Sequence, residues 1–419
     1  MSILQDFIAK IEGHGRLRVN WAQNKVQLEV EEGERLFEGM VCGRPATDLY
    51  WITPRICGVC PIAHNLAAIK AVEDALDIKV SWQTTLLRRL LLCAQIIQSH
   101  VLHLYFLALP DYLGLDSGTE LLKTHPRYFA DAQELKRISD LIADIVGGRG
   151  IHPTTTTAGG FHKVPTFSQL KKLKKEVQKA KEAASGTLNL FSSLNYPEIK
   201  HELLFLSQID GKNYNTYASQ FISSNKGLKV KIESYKKTIE ERIKTYSTAK
   251  FGYHQGKGIM VGALARLAIQ ADLLIGEAKD FYHHQKPDFE NPYENNLAQA
   301  IEVLYFATEA QNLVEEILEK GIDSAATNLP TNLKPKKKSR GIGAIEAPRG
   351  GLYYEIEVDT NGLVTEANII TPTVQNLSSI EESAQAVLDQ TQGLKKERRQ
   401  ELLEMLVRAY DPCITCSVH

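Results

Sequence analysis

Charge of either sign is missing in excess. The 419 residues carry 49 Lys and Arg against 50 Asp and Glu, a net charge of −1. The basic footprint of a nucleic-acid binder is therefore absent. Long hydrophobic runs are also missing. The longest apolar stretch, residues 86–101, is interrupted by Arg88, Arg89, Gln95 and His100, and falls short of the roughly 18 apolar residues a membrane helix needs. The opening MSILQDFIAKIEGHGR has no basic stretch followed by an apolar one, so neither a signal peptide nor a twin-arginine leader is expected. A soluble, cytoplasmic protein without a membrane span is the expectation. There is no internal repeat and no glycine-rich nucleotide fingerprint, so any nucleotide coenzyme is expected to bind to another chain.

Cysteine is scarce as well: Cys42, Cys57, Cys60, Cys93, Cys413 and Cys416 are all there is. In a large chain of this kind, paired cysteines point to metal ligation or redox chemistry rather than to a disulfide framework. Cys42 and Cys93 stand alone and are expected as small buried hydrophobes. The other four form two pairs, in RICGVCPIAH (residues 55–64) and DPCITCSVH (residues 411–419). A two-residue gap lets both thiolates of a pair turn toward one centre. Four thiolates select zinc, an iron–sulfur cluster or another thiophilic metal such as nickel. Structural zinc modules set their pairs about 15–20 residues apart, whereas these lie near opposite ends and would tie two remote segments together. Chain ends fray unless held. Ligands this close to His419 suggest that metal insertion fixes the tail, and that a maturation protease removes a C-terminal extension afterwards.

A hydrophobic content of 43% supports a large core. Residues 17–21 and 26–30 alternate apolar and polar around Asn24-Lys25, which predicts a hairpin. A short helix is expected near residues 36–44, and a helix starting at Pro61. Further helices are predicted over residues 86–109 (stopping at Pro110), 121–146, 167–194, 230–245, 263–283 and 297–320. Residues 199–228 look irregular or β. Residues 328–343, with four Pro and Gly breakers, read as a surface loop whose lysines 336–338 face solvent. Strands at 352–358 and 363–370 and helices near 380–388 and 397–410 complete a mainly helical α+β chain: a large central helical bundle with small β elements near both ends. We expect one domain over 1–419, made of a β-containing segment (1–50), a helical body (51–330) and a C-terminal segment (340–419) carrying the second pair.

The two cysteine motifs, with IEGHGR (residues 11–16), LFEG (36–39), EAPRG (346–350) and ITPTVQN (370–376), occur in an order that resembles the large, catalytic subunit of nickel-iron hydrogenases. The resemblance implies that fold, and reversible heterolytic cleavage of H2. It implies that Cys57, Cys60, Cys413 and Cys416 bind nickel, with Cys60 and Cys416 bridging to an iron that carries one carbon monoxide and two cyanide ligands. Glu12 would be the proton relay; read alone it is a surface glutamate before a Gly-x-Gly turn. Arg349 would hang over the metals, with Pro348 beside the cofactor and Asp111 and Asp411 flanking the guanidinium. Read alone, Arg349 is a loop arginine, and the two aspartates are turn residues. Thr373 would hydrogen-bond a cyanide and His64 would back the first pair, where otherwise they are a loop threonine and a core histidine. Glu38, the Ile369 carbonyl and His419 resemble ligands of a magnesium-like ion; alone, Glu38 is a surface acid at a helix start.

No further cysteine group exists for iron–sulfur clusters in this chain, so the resemblance also implies an obligate iron–sulfur small subunit that takes the electrons. Residues 99–105 and 407–413 lean toward the cytoplasmic, multimeric, sulfhydrogenase-like group. That group implies further electron-transfer subunits binding flavin with NAD(P), a deazaflavin or ferredoxin. Two other readings stay open: a quinone-reductase-like structural or proton-coupling subunit of a respiratory complex, and a zinc-stapled scaffold.

Overall fold

The computed structural model describes residues 8–419 apart from Asn215 and Asn332. Residues 1–7, part of the stretch read for a leader, lie outside the described residues. The N-terminal alternation folds as expected. Strands Gly15–Asn20 and Lys25–Val30 pair antiparallel, with Leu17 opposite Leu28 and Val19 opposite Val26, and these four side chains are buried. Asn24 supplies the positive φ of the turn. The hairpin docks on the helix Pro372–Gln390, where Gln385 bonds the Val26 amide and the Asn24 carbonyl and Glu381 accepts from the Leu28 amide.

The centre is helical, built from Pro61–Ala75, Trp82–Leu113, Pro126–Gly147, Phe167–Ser192 and Asn295–Lys320. Their starts follow local chemistry. Ser81 caps the second helix by accepting from the Thr84 amide, and Thr166 with Gln169 forms a capping box for the fourth. The second helix runs past the expected stop at Pro110. A π-helical turn, His103–Ala108, precedes that proline, and the Leu109 amide reaches back to the Leu104 carbonyl. The wider turn accommodates a ring that would clash with a regular helix. Gly114, at φ 66°, ends the helix instead. Its 32 residues are long and apolar enough to cross a membrane, yet 83% of the most apolar window is buried inside the protein, as in a core helix.

Three more expectations change. Residues 230–245 are not one helix; a 3-10 turn Ile232–Ser234 runs into the single α turn Tyr235–Thr238, between short strands Lys229–Lys231 and Glu240–Arg242. The run from 263 splits into Ala263–Gln270 and Gly276–His284 around the extended Leu274-Ile275 and a positive-φ Gly276. Cys42 is exposed, not buried, whereas Cys93 is buried as expected.

The reading of residues 328–343 as a loop fails at its C-terminal end. Lys336, Lys337 and Lys338 do face solvent, but strand Ser339–Ala347 begins at once. It is the edge of a three-stranded antiparallel sheet with Gly350–Val358 and Val364–Ile370. Gly341 and Gly343 are not breakers. They let the strand backbone lie directly on the helix Pro61–Ala75, because a Cβ at Gly343 would overlap the Ala67 carbonyl oxygen and one at Gly341 the Ala71 carbonyl oxygen. The helix answers with Ala67, Ala71 and Ala75 on that face, one turn apart. This contact sets the helix that begins after Cys60 against the sheet that leads into Arg349.

Gly343→Ala should therefore lower stability by about 1–3 kcal/mol or more, the range for overpacking a tight core. Gly393→Ala, where no atom lies within 4 Å of the added carbon, should stay within about 0.5 kcal/mol. Denaturant unfolding of both variants checks this, and equal midpoints would sink the close-packing argument.

Candidate metal centre

Four buried thiols meet although their pairs are more than 350 residues apart. Cys57 Sγ lies 3.3 Å from Cys413 Sγ, Cys60 Sγ lies 3.7 Å from Cys416 Sγ, and Cys413 Sγ lies 3.0 Å from Cys416 Sγ. All are free thiols. Hydrogen bonds from neighbouring thiols, Cys413 first, hold Cys57 well below the ordinary thiol range. Burial pushes Cys416 well above it. A cage of soft sulfur donors, closed to water and already sharing protons, fits a thiophilic metal, which binds as the thiols deprotonate.

Local bonds aim the first pair. Cys57 is extended after the turn Thr53–Ile56, and the Val59 and Cys60 amides point at its sulfur from 3.3 and 3.2 Å. Gln95, on the long helix, clamps the loop at both ends: its carbonyl accepts from the Ile62 amide at 2.9 Å and its amide donates to the Val59 carbonyl at 2.7 Å. His64 sits one turn into the helix that follows. Its Nε2 is 3.8 Å from Cys416 Sγ and its Nδ1 is 2.7 Å from the Tyr354 hydroxyl. Burial lowers its pKa to about 3, which keeps the ring neutral.

The second pair is held by the N-terminal motif. Glu12 and Cys413 form a parallel β-bridge, and the Ile414 amide donates to the Glu12 carbonyl at 3.0 Å. The Glu12 carboxylate accepts from the Thr415 amide at 3.2 Å and from the Thr415 hydroxyl. Burial, then the nearby Cys413, raises Glu12 to about 8. Gly13 must lack a side chain here, since a Cβ would meet Glu32 and Ile414. Thr373 accepts from the Cys413 amide at 3.1 Å, and Thr371 donates to the Cys416 carbonyl at 3.0 Å.

Arg349 stands over this cluster. It donates to the Asp411 carbonyl at 2.6 Å, to the Asp411 carboxylate at 2.7 Å and to Ser99 Oγ at 3.0 Å. Asp411 takes a left-handed backbone at φ 52° to do this, a conformation aspartate tolerates better than most residues. The expected second carboxylate is not among these partners. Asp111 pairs instead with Lys10 and Arg408, both at 2.6 Å. It lies twelve residues beyond Ser99 on one helix, about 18 Å along the axis, so Ser99 takes the flank assigned to Asp111.

The turn that carries Arg349 is anchored from below. All five N–H groups of the buried Arg266 are used. Nε and Nη2 each meet Glu302 at 2.6 Å, Nη1 meets Glu346 at 2.8 Å, and the rest donate to the Ala347 carbonyl at 3.0 Å and the Pro348 carbonyl at 2.9 Å. Pro348 thus contributes a carbonyl to this anchor.

A second group gathers at the tail. The Ile369 amide donates to Glu38 at 2.6 Å, and His419 Nε2 lies 2.7 Å from the Ile369 carbonyl. Glu241 faces the same place. Burial raises its pKa against the opposing pull of Lys250 and His419, with Glu38 adding to the rise; Oε2 faces Lys250 at 3.4 Å, and Oε1 is buried with no hydrogen-bond partner. An orphaned carboxylate oxygen beside Glu38 and His419 fits a hard divalent cation.

Sequence reasoning missed Ser99, Gln95, Arg35 and Glu241. Arg35 bonds both cysteine segments, donating to the Ile56 carbonyl at 2.7 Å and to the Thr415 carbonyl. It directly precedes LFEG, and that adjacency was the one available signal. The others carried none, because distant packing sets their roles.

Comparisons with known proteins agree with this geometry. The sequence profile of nickel-dependent hydrogenases matches residues 35–127 and 206–419. The alpha chain of sulfhydrogenase 1 from Pyrococcus furiosus is 37% identical over 100% of this chain and 98% of its own length. One component of the F420-non-reducing hydrogenase of Methanothermobacter marburgensis is 31% identical over 98% of this chain and 93% of its own. In fold, the chain is similar to a solved NAD+-reducing [NiFe]-hydrogenase in the H2-reduced state. That match has a TM-score of 0.88 at 24% identity, covering 99% of this chain and 98% of that one.

Arg266→Met should destabilise the protein by about 3–5 kcal/mol, because it leaves Glu302 and Glu346 buried without their cation. Arg266→Lys, which keeps charge but not the fork, should recover only part. Chemical denaturation monitored by circular dichroism checks both, and an unchanged midpoint in Arg266→Met would refute the anchor.

Proposed function

The chain belongs to the nickel-dependent hydrogenase family as a large subunit, an oxidoreductase acting on H2 at a nickel–iron site, and from this premise we propose how its residues divide the work. Cys57 and Cys413 would hold nickel alone, and Cys60 and Cys416 would be shared with an iron carrying one carbon monoxide and two cyanides. The observation that carries this reading is the convergence of both pairs in one buried cage. When bound, the metal pair supplies the electron-pair acceptor at which H2 is split. The quinone-reductase-like and zinc-staple readings are not favoured beside the family match.

The chain's own residues handle the proton and the geometry. Glu12 takes a proton from the Cys413 side of the cage and passes it outward; its backbone bridge to Cys413 fixes that contact. Arg349 caps the cage and aims donors at a diatomic ligand, held there by Asp411 and Ser99. Thr373, already bonded to the Cys413 amide, offers its hydroxyl proton to a cyanide. Neutral His64 backs Cys416. Glu38, the Ile369 carbonyl and His419 hold a magnesium-like ion, and the free oxygen of Glu241 supports that assignment. We further propose that the chain works as one unit in the cytoplasm. It passes electrons to an iron–sulfur small subunit, then on to subunits serving flavin with NAD(P), a deazaflavin or ferredoxin.

Elemental analysis of the purified complex should give one nickel and one magnesium per copy of this chain, with infrared bands from metal-bound carbon monoxide and cyanide. Zinc in place of nickel would end the proposal. Glu12→Gln should abolish hydrogen–deuterium exchange while leaving nickel content unchanged, and full turnover in that variant would remove Glu12 from the proton path.

A further inference from the structure

Behind Arg349, the long helix and the helix Asn295–Lys320 share a polar seam. His103, at the first residue of the π-helical turn, is 1% exposed, as is Gln299 across from it. His103 Nδ1 lies 2.5 Å from Gln299 Oε1, and its Nε2 lies 2.7 Å from the Arg408 carbonyl oxygen. Both partners are acceptors. The Gln299 amide cannot be turned to change this, because its other end donates to Asp411 Oδ2 at 3.1 Å, and a carboxylate paired with Arg349 needs a donor there. A neutral ring would press one bare nitrogen against an oxygen lone pair, in the dry interior where unmade hydrogen bonds are most costly.

A second observation is independent of the amide. Arg408 sits in the last turn of the helix Lys396–Ala409. Its carbonyl already accepts the Asp411 amide at 2.8 Å, so the ring meets the remaining lone pair, at the end of the helix where the negative pole of the dipole favours a cation. We propose that His103 is a doubly protonated imidazolium that caps this helix and positions Asp411, through Gln299, so that Arg349 is held over the cysteine cage. The proposal rests on the reading of Arg349 given above.

The charged groups around the ring fit this state. Asp411 lies beyond Gln299, with Arg349 beyond that. On the far side, the Arg408 guanidinium is paired with Asp111 and Glu404. On the ring's own helix, His100 is paired with Glu302. His419 also places both ring nitrogens against carbonyls, but beside Glu38 and Glu241, where a divalent ion supplies another explanation. Among the described residues, no carboxylate pairs with His103, whose partners are Gln299 and the Arg408 carbonyl.

Neutron crystallography of the assembled holoenzyme in D2O reads the ring directly. Deuterium on both Nδ1 and Nε2 of His103 is the expected result, and a single occupied nitrogen overturns the proposal. For the positioning role, His103→Gln should lower hydrogen-oxidation turnover by about 10–100-fold with nickel and iron content unchanged, the usual effect of removing such a supporting bond. Gln299→Leu cuts the same link from the other helix and should match it, which covers the case where His103→Gln fails to fold. Either variant combined with Arg349→Lys should be no slower than Arg349→Lys alone, because all act through one guanidinium. Losses that multiply mean an independent structural effect and overturn the positioning role. Full turnover in Arg349→Lys would instead refute the reading of Arg349, and the deuterium result does not depend on it.

Discussion

The structure depends on one constraint: two thiol pairs from remote parts of the chain must occupy the same buried volume. Four free cysteines linked in a row by sulfur–sulfur contacts of 3.3, 3.0 and 3.7 Å have little reason to gather for packing alone, since alanine or valine would fill the space without a reactive group. Everything nearby restrains one pair or the other. Gln95 clamps the first loop. Glu12, Thr371 and Thr373 hold the second. Arg35 joins the two. In the closed cage the fold itself orients the four ligands, so the ordering entropy is met by the protein.

Around the cage the interior is unusually polar, and each buried charge is answered. Arg88 meets Glu73, and Arg266 meets Glu302 and Glu346. Such ion pairs add little net stability when compared with well-packed hydrophobes, but breaking one is expensive. Their value here is directional. A guanidinium that spends all five donors on one helix, one strand and Pro348 fixes the turn before Arg349 more tightly than apolar contact could.

Features governed by neighbours in sequence were legible in the sequence. The cysteine pairs, the hairpin around Asn24, the helix start at Pro61 and the strands flanking Asp359 all follow from spacing and turn chemistry. The errors arise where a distant partner overrides a local rule. Pro110 does not end its helix because the π turn makes room for it. Gly341 and Gly343 are contact residues because alanines from another segment press on them. Asp111 belongs to Arg408 rather than Arg349 because about three helical turns separate it from Ser99, where the guanidinium sits. Ser99 and Gln95 sit inside an apolar helical run, where nothing in the sequence distinguishes a clamp from a tolerated polar residue. The segment 230–245 has helical periodicity, yet pairing with the strands Phe221–Ser224 and Phe251–His254 claims its backbone.

The β-bridge between Glu12 and Cys413 has a kinetic consequence. Joining segments separated by about 400 residues carries a loop-closure penalty of about 5 kcal/mol plus a constant, growing only with the logarithm of length. Little of it can be recovered until the intervening helices and sheet have already brought the two segments close. The bridge must therefore form late, after the body of the protein is built. A late-closing seam leaves a window in which the thiols are preassembled on one side and still reachable from the other. The order of folding can then serve as a gate for what is put inside.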